Sequence, residues 1–174
     1  MREKIIKNKR NAVVLMGLAV LVFAGGCVYQ FGTSLPAGMD TIYVETFVNN
    51  TDEPLLESET TQAAIREFQH DGTLSIATAD NADMILRVVL EKLTIEPIRY
   101  EKDSPKAGEE FRMKLTAMLE LTNARTNKLM MKRKVIGQVT FFLTGDMFSA
   151  KREAVILVAK DLAHNIVEQV VEFW

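Results

Sequence analysis

Residues 111–143 read FRMKLTAMLELTNARTNKLMMKRKVIGQVTFFL, and the alternation in this stretch decides the fold. After Phe111, Met113, Leu115, Ala117, Leu119 and Leu121 recur at every second position, with mostly polar residues between them. That period belongs to a half-buried β-strand, whose successive side chains point to opposite faces. NARTN is a hairpin turn. The returning strand starts at Leu129, with Leu129, Met131, Val135, Val139 and Phe141 expected on its inner face. A long hairpin with one apolar face needs a second layer to cover it.

Upstream, residues 83–96 (DMILRVVLEKLTIE) form another long strand, with Met84, Leu86, Val88 and Leu90 pointing one way. Pro97 and the charged run RYEKDSPKAGEE mark a connection to the hairpin. Further back, TIYVETFVN from Thr41 reads as one strand that alternates Ile42, Val44 and Val48 against Tyr43, Glu45 and Phe47. NNTDEP then supplies a turn and a helix start, with Thr51 or Asp52 as the expected cap and Pro54 in the first turn. The following helix carries Leu56, Thr60, Ala64 and Phe68 on one face, joined by Ile65, and ends at Asp71-Gly72. TLSIAT is a short strand and ADNAD a turn.

Downstream, Ser149 is the expected cap of a long helix with Val155, Val158, Leu162, Ile166 and Val170 as its apolar stripe. The two amphipathic helices are therefore expected on one face of a single sheet, giving one α+β domain over residues 39–174. The other sheet face is polar or half-polar and free to meet solvent or a partner.

The chain has 174 residues, of which 48% are apolar and 25% charged, with one cysteine and two histidines. Its first 26 residues hold five of the 21 Lys+Arg and one of the 23 Asp+Glu, so the remainder carries 16 basic residues against 22 acidic. A body that acidic argues against nucleic acid as the main partner, because phosphate neutralisation needs clustered positive charge.

MREKIIKNKRN is a basic leader, and AVVLMGLAVLVFAGG is an apolar run shorter than the roughly twenty residues that span a bilayer. No basic stop-transfer cluster follows it. Ala24, Gly25 and Gly26 directly before Cys27 suit a lipoprotein processing site. Residues 1–26 are therefore read as a lipoprotein signal peptide, and 27–38 as a lipidated lead. The alternatives for Cys27 are a signal anchor or a core cysteine. As the mature N-terminus it would carry a diacylglycerol thioether and an N-acyl chain, leaving no free thiol for catalysis.

Little else suggests chemistry. GxSxG, GxGxxG and Walker-type loops are absent from the sequence. His70 lies at a helix stop and His164 in the last helix. Asp80 and Asp83 belong to a turn, without the converging oxygens that a cation needs. No catalytic residue, metal site or cofactor is expected. Asn49-Asn50-Thr51 matches a glycosylation sequon but reads more simply as a turn with a cap.

Two features carry more. Lys132, Arg133 and Lys134 concentrate positive charge in mid-strand. This is either a solvated face or a contact for the phosphates of an acidic lipid, with Lys132 and Lys134 outward and Arg133 toward the core side or its rim. FFLTGDMF at 141–148 is read as core closure beneath the last helix, the alternative being an apolar patch that docks into a partner.

With these elements in place, CVYQFGTSLPAGMDTIYVETFVNNTDEPLLESETTQAAIREF resembles the start of the lipopolysaccharide-assembly lipoprotein family LptE. Cys27, Tyr29, Phe31, Leu35, Pro36, Phe47, Asn49 or Asn50, Thr51, Glu53 and Pro54 occupy that family's characteristic places. ADMILRVVLEKLTIEPIRY and EAVILVAKDLAHNIVEQVV resemble two later family segments. Ala24 and Val28 depart from the commoner leucine and glycine. The resemblance implies two helices packed on a four-stranded, mostly antiparallel sheet. It implies a non-enzymatic lipoprotein, anchored by its acyl chains at the periplasmic side of the outer membrane. Its expected role is to plug and help assemble an LptD-like β-barrel translocon that inserts lipopolysaccharide. The competing reading is a periplasmic lipoprotein that activates a cell-wall synthase, since such domains also begin with a strand and an F-x-N-x-T turn.

Overall fold

The computed structural model describes residues 38–99, 110–143 and 146–174. The signal peptide, Cys27, most of the lead and the connection at 100–109 lie outside the described residues. In chain order the elements are β1 (Thr41–Val44), β2 (Val48–Asn49), α1 (Leu56–Asp71), β3 (Ser75–Ile76), β4 (Met84–Arg99), β5 (Glu110–Asn123), β6 (Leu129–Phe142) and α2 (Met147–Val171). The sheet runs β3-β1-β4-β5-β6, with β2 continuing alongside β4 beyond β1.

This α+β fold corrects the expected sheet in strand number and direction. The sheet has six strands and is mixed: β1 pairs parallel with β3 and β4, and β2 parallel with β4, while β4–β5 and β5–β6 are antiparallel. Parallel pairing follows from the crossover, because α1 returns the chain to the end where β1 began.

Both helices cover one face. The core joins Ile42, Val44, Leu86, Leu90, Met113, Leu115 and Leu119 from the sheet to Leu56 and Phe68 of α1 and Leu162 and Ile166 of α2. Burying each such side chain contributes about 1.5–3 kcal/mol. All four even positions named for β4, and Met113 through Leu121 on β5, are buried as their alternation requires.

Three interruptions of the alternation escape a sequence pattern. The expected strand from Thr41 breaks after Val44, which inverts the phase: Phe47 is buried, and Val48 is 54% exposed. The buried Phe47 N–H is satisfied by Thr61 Oγ1 at 2.9 Å, from inside α1. A register shift between Leu90 and Lys92 turns Leu93 and Ile95 toward the helices instead of their even-numbered neighbours. A second shift, at Leu121/Thr122, places Leu129 opposite Thr122, so Leu129 is half exposed and not on the inner face.

The helix starts also differ from expectation. α1 has no side-chain cap, and neither Thr51 nor Asp52 fills that role. Instead Asn49 Nδ2 donates to Glu53 C=O and Glu57 Oε2, while Asn49 Oδ1 accepts from Thr51, a knot that steers the chain into the helix. Gly72, at φ 75°, ends α1 in the left-handed conformation that glycine adopts without penalty. At α2 the cap is Asp146, whose carboxylate accepts from Phe148 N–H, Ser149 N–H and Ser149 Oγ. These bonds, those of Ser149 foremost, hold the Asp146 carboxyl below its ordinary value.

α2 lies hard against β6. A Cβ placed on Gly137 would come within 2.7 Å of Leu162 Cβ, Leu162 N and Val158 O, so only glycine permits this approach. From the same helix, Asp161 Oδ2 accepts Gln138 N–H at 2.7 Å, and Asn165 Nδ2 donates to Ile136 C=O at 2.9 Å. The helix thereby closes the middle of an edge strand that would otherwise present bare backbone groups.

Candidate functional site

The face of β4, β5 and β6 turned away from the helices carries the charged residues. Arg87, Glu120 and Lys132 stand opposite one another on the three strands. Glu45 extends this row with two bonds to Arg87, at 2.7 and 3.0 Å, which raise the guanidinium's affinity for its proton. Lys132 Nζ lies 2.7 Å from Glu120, so four charges of alternating sign cross the sheet. In the next row Lys134 faces Met118 and pairs with Glu91 at 3.5 Å.

The triplet Lys132–Arg133–Lys134 is therefore not one patch. Lys132 and Lys134 point onto the open face, each beside a carboxylate. Arg133 turns to the helix side, where its Nη1 donates to Gln169 at 2.7 Å. Ion pairs this exposed contribute about 0–1 kcal/mol, so a stronger anion can displace either glutamate.

The open-face cations without an ion-pair partner among the described residues are Lys92, Lys114 and Arg112. Lys114 and Arg112 alternate along β5, and Lys92 follows the register shift on β4. Sequence reading missed them because no two are adjacent. They become one surface only once the β4–β5 register is known.

Asp83, expected in a turn, is a structural anchor. Its Oδ2 accepts Thr41 Oγ1 at 2.7 Å and the N–H groups of Thr41 and Asp40, while Oδ1 accepts Arg125 Nη2 at 2.6 Å. The Thr41 bond and these other donors lower its pKa against a smaller effect of burial. His164 bridges the helices, with Nδ1 2.9 Å from Glu67 Oε1; His70 is exposed at the end of α1. Among the described residues no group of His, Cys, Asp and Glu is arranged to hold a metal ion, and no helix is long and apolar enough to cross a membrane.

The FFLTGDMF segment divides. Phe141 is buried and stacks on Phe111 with ring centroids 5.7 Å apart, as core closure requires. Phe142 and Phe148, 57% and 74% exposed, and the part-exposed Met147 stay outside the core instead.

The LptE lipopolysaccharide-assembly family model matches residues 39–172, the whole of the folded body just described. The chain belongs to the LptE family. That family is one of assembly lipoproteins without enzymatic activity, and the chain is an LptE-like lipoprotein. No curated protein matches it in sequence.

Solved structures share the fold of this LptE-family chain at low identity. A minor lipoprotein from Acinetobacter baumannii is similar at a TM-score of 0.53 and 14% identity, over 77% of this chain and 94% of that one. A hypothetical protein from Chlamydia trachomatis gives 0.53 and 12%, over 76% and 96%. A protein from Xanthomonas campestris gives 0.51 and 13%, over 80% and 90%.

Proposed function

We propose that the chain is an outer-membrane lipoprotein that plugs and helps assemble an LptD-like β-barrel translocon for lipopolysaccharide. The observation that carries this reading is the family match over residues 39–172. The architecture supports it: two helices seal one sheet face, and the opposite face carries an ordered array of charge that a polar barrel lumen or a phosphorylated lipid can meet. No covalent step is required of such a plug.

In this reading Cys27 is the lipidated mature N-terminus, after removal of residues 1–26. Its acyl chains, at about 0.8 kcal/mol per buried methylene, hold the domain at the periplasmic side of the outer membrane. Lipopolysaccharide phosphates meet the open face first at Lys92, Arg112 and Lys114, which make no ion pair among the described residues. Lys132 and Lys134 join by releasing Glu120 and Glu91, and Arg133 contributes from the rim beside Gln169. Charge-assisted bonds of this kind are about twice as strong as neutral ones.

Depletion in the native host tests the reading. Loss of the chain is expected to reduce both the assembled barrel and the lipopolysaccharide reaching the cell surface. Unchanged levels of both would refute it.

A further inference from the structure

β4 outruns its neighbours on one side. β2 pairs with it only at Val48↔Val89 and Asn49↔Leu90, and Asn50 N–H ends the pairing on Leu90 C=O at 2.9 Å. β4 continues to Arg99, and among the described residues no strand pairs with that side beyond Leu90.

The backbone groups of this stretch can be assigned a direction. Gln138 N–H and Ile136 C=O point off the far edge of the sheet, to Asp161 and Asn165. Residues 136 and 138 are thus not hydrogen-bonded to Thr116 and Lys114, their partners on β5. In an antiparallel ladder, Thr116 and Lys114 then bond to the opposite neighbour, at Lys92 and Thr94. The N–H and C=O groups of Leu93 and Ile95 consequently face the lane that β2 vacates. Pro97, which has no N–H, ends the run of donors, as proline does on edge strands.

The lane is a shaped space. A cleft of about 390 Å³ lies along it, lined by Glu91, Lys92, Leu93 and Ile95 of β4, by the turn Asn50–Glu53, and by Lys151 of α2 as a wall. Lys151 is tied to Glu53 at 2.5 Å, which fixes the wall to the turn. One helical turn before Lys151, Met147 is 39% exposed, and Ile98 at the far end of β4 is 42% exposed. The two edges of the long ribbon are thus treated differently. α2 closes the middle of the β6 edge with two side chains, while among the described residues no strand or side chain is bonded along the β4 edge beyond Leu90.

We propose that the β4 lane from Lys92 to Pro97 takes up an extended segment of the barrel partner as an added strand, continuing the line of β2. Only a polypeptide backbone repeats a donor and an acceptor at every second residue, roughly twice the 3.3 Å rise per residue, as this edge does. The segment's alternate side chains are apolar where they lie beside Leu93 and Ile95, with polar residues toward the charged face. This rests on the barrel reading above.

The test is amide hydrogen exchange on the full-length lipoprotein, free and in the complex purified from outer membranes. The amides of Leu93 and Ile95 are expected to exchange about tenfold or more slowly in the complex, with Leu115 unchanged. Ile95→Pro removes one lane donor without touching the β5 ladder, and is expected to lower barrel recovery several-fold while circular dichroism stays the same. Equal exchange in free and bound protein overturns the inference and leaves the barrel reading standing. Recovery of no barrel overturns both. Protection already present in the free chain and lost on dilution makes a second copy the occupant, which also overturns it. Should Ile95→Pro fail to fold, the exchange measurement on the unaltered chain decides.

Discussion

Thr41 and Asp83 bind each other reciprocally: Thr41 Oγ1 donates to Asp83 Oδ2 at 2.7 Å, and Asp83 N–H donates to Thr41 Oγ1 at 2.9 Å. This exchange staples the start of β1 to the start of β4, and Arg125 brings in the β5–β6 turn from the other side. Asp83→Ala is expected to cost about 1.5–3 kcal/mol in urea unfolding, because charged hydrogen bonds are lost and several donors are left bare. Asp83→Asn, which keeps one acceptor oxygen, is expected to cost less. The folded-state pKa of Asp83 lies below the ordinary aspartate value, so its contribution is present above that ordinary value and is lost as pH falls through the lower one. Equal acid sensitivity of the wild type and Asp83→Ala would count against the staple.

Gly137→Ala tests the contact between α2 and β6. The added methyl lands 2.7 Å from the Leu162 backbone, and α2 must move outward to admit it. The expected loss is about 1–3 kcal/mol. Faster exchange of the Gln138 amide should accompany it, since Asp161 retreats with the helix. Unaltered stability would show that the helix sits further from the strand than described.

The helix pair has a pH-dependent tie. His164 has a raised pKa, first because of its bond to Glu67, with Glu168 and Asp161 adding to the effect. Because the folded value lies above 6.5, the stabilisation is fully present below about pH 6.5 and fades as pH rises through the raised value. The urea midpoint of the wild type should therefore fall between about pH 6 and pH 9 by more than that of Glu67→Gln. Identical pH profiles would remove the tie from the account.

Much of this was legible in the sequence. Alternation marked β5 and the first half of β4, and helical spacing marked both helices, so the layers and the buried faces of those stretches followed. What escaped depended on distant partners. The phase inversion at Phe47 is satisfied by Thr61 in α1, and the parallel pairing of β1 involves strands too short to announce a direction. Ser149 looked like the cap of α2, but Asp146 offered a carboxylate three residues earlier and took up Ser149's own hydroxyl. The charged site was the least legible. Lys132–Lys134 stood out because its charges are consecutive, yet Glu120, Glu91 and Gln169 partner them from other elements.

That difference gives a graded expectation for lipopolysaccharide binding. Lys92→Glu with Lys114→Glu should weaken binding to purified lipopolysaccharide more than Lys132→Glu with Lys134→Glu, because among the described residues the first pair has no ion-paired carboxylate to displace. Circular dichroism should be unchanged in both. The reverse ranking would return the phosphate contact to the β6 triplet, and no effect of either pair would remove it from this face.

Affinity purification of the tagged full-length chain from detergent-solubilised outer membranes tests partnership with a barrel most directly. One large β-barrel protein is expected to come with it in near-equal amount and to persist through salt washes that screen surface charge. Purification of the chain with no barrel protein, or with a cell-wall synthase in its place, would contradict it.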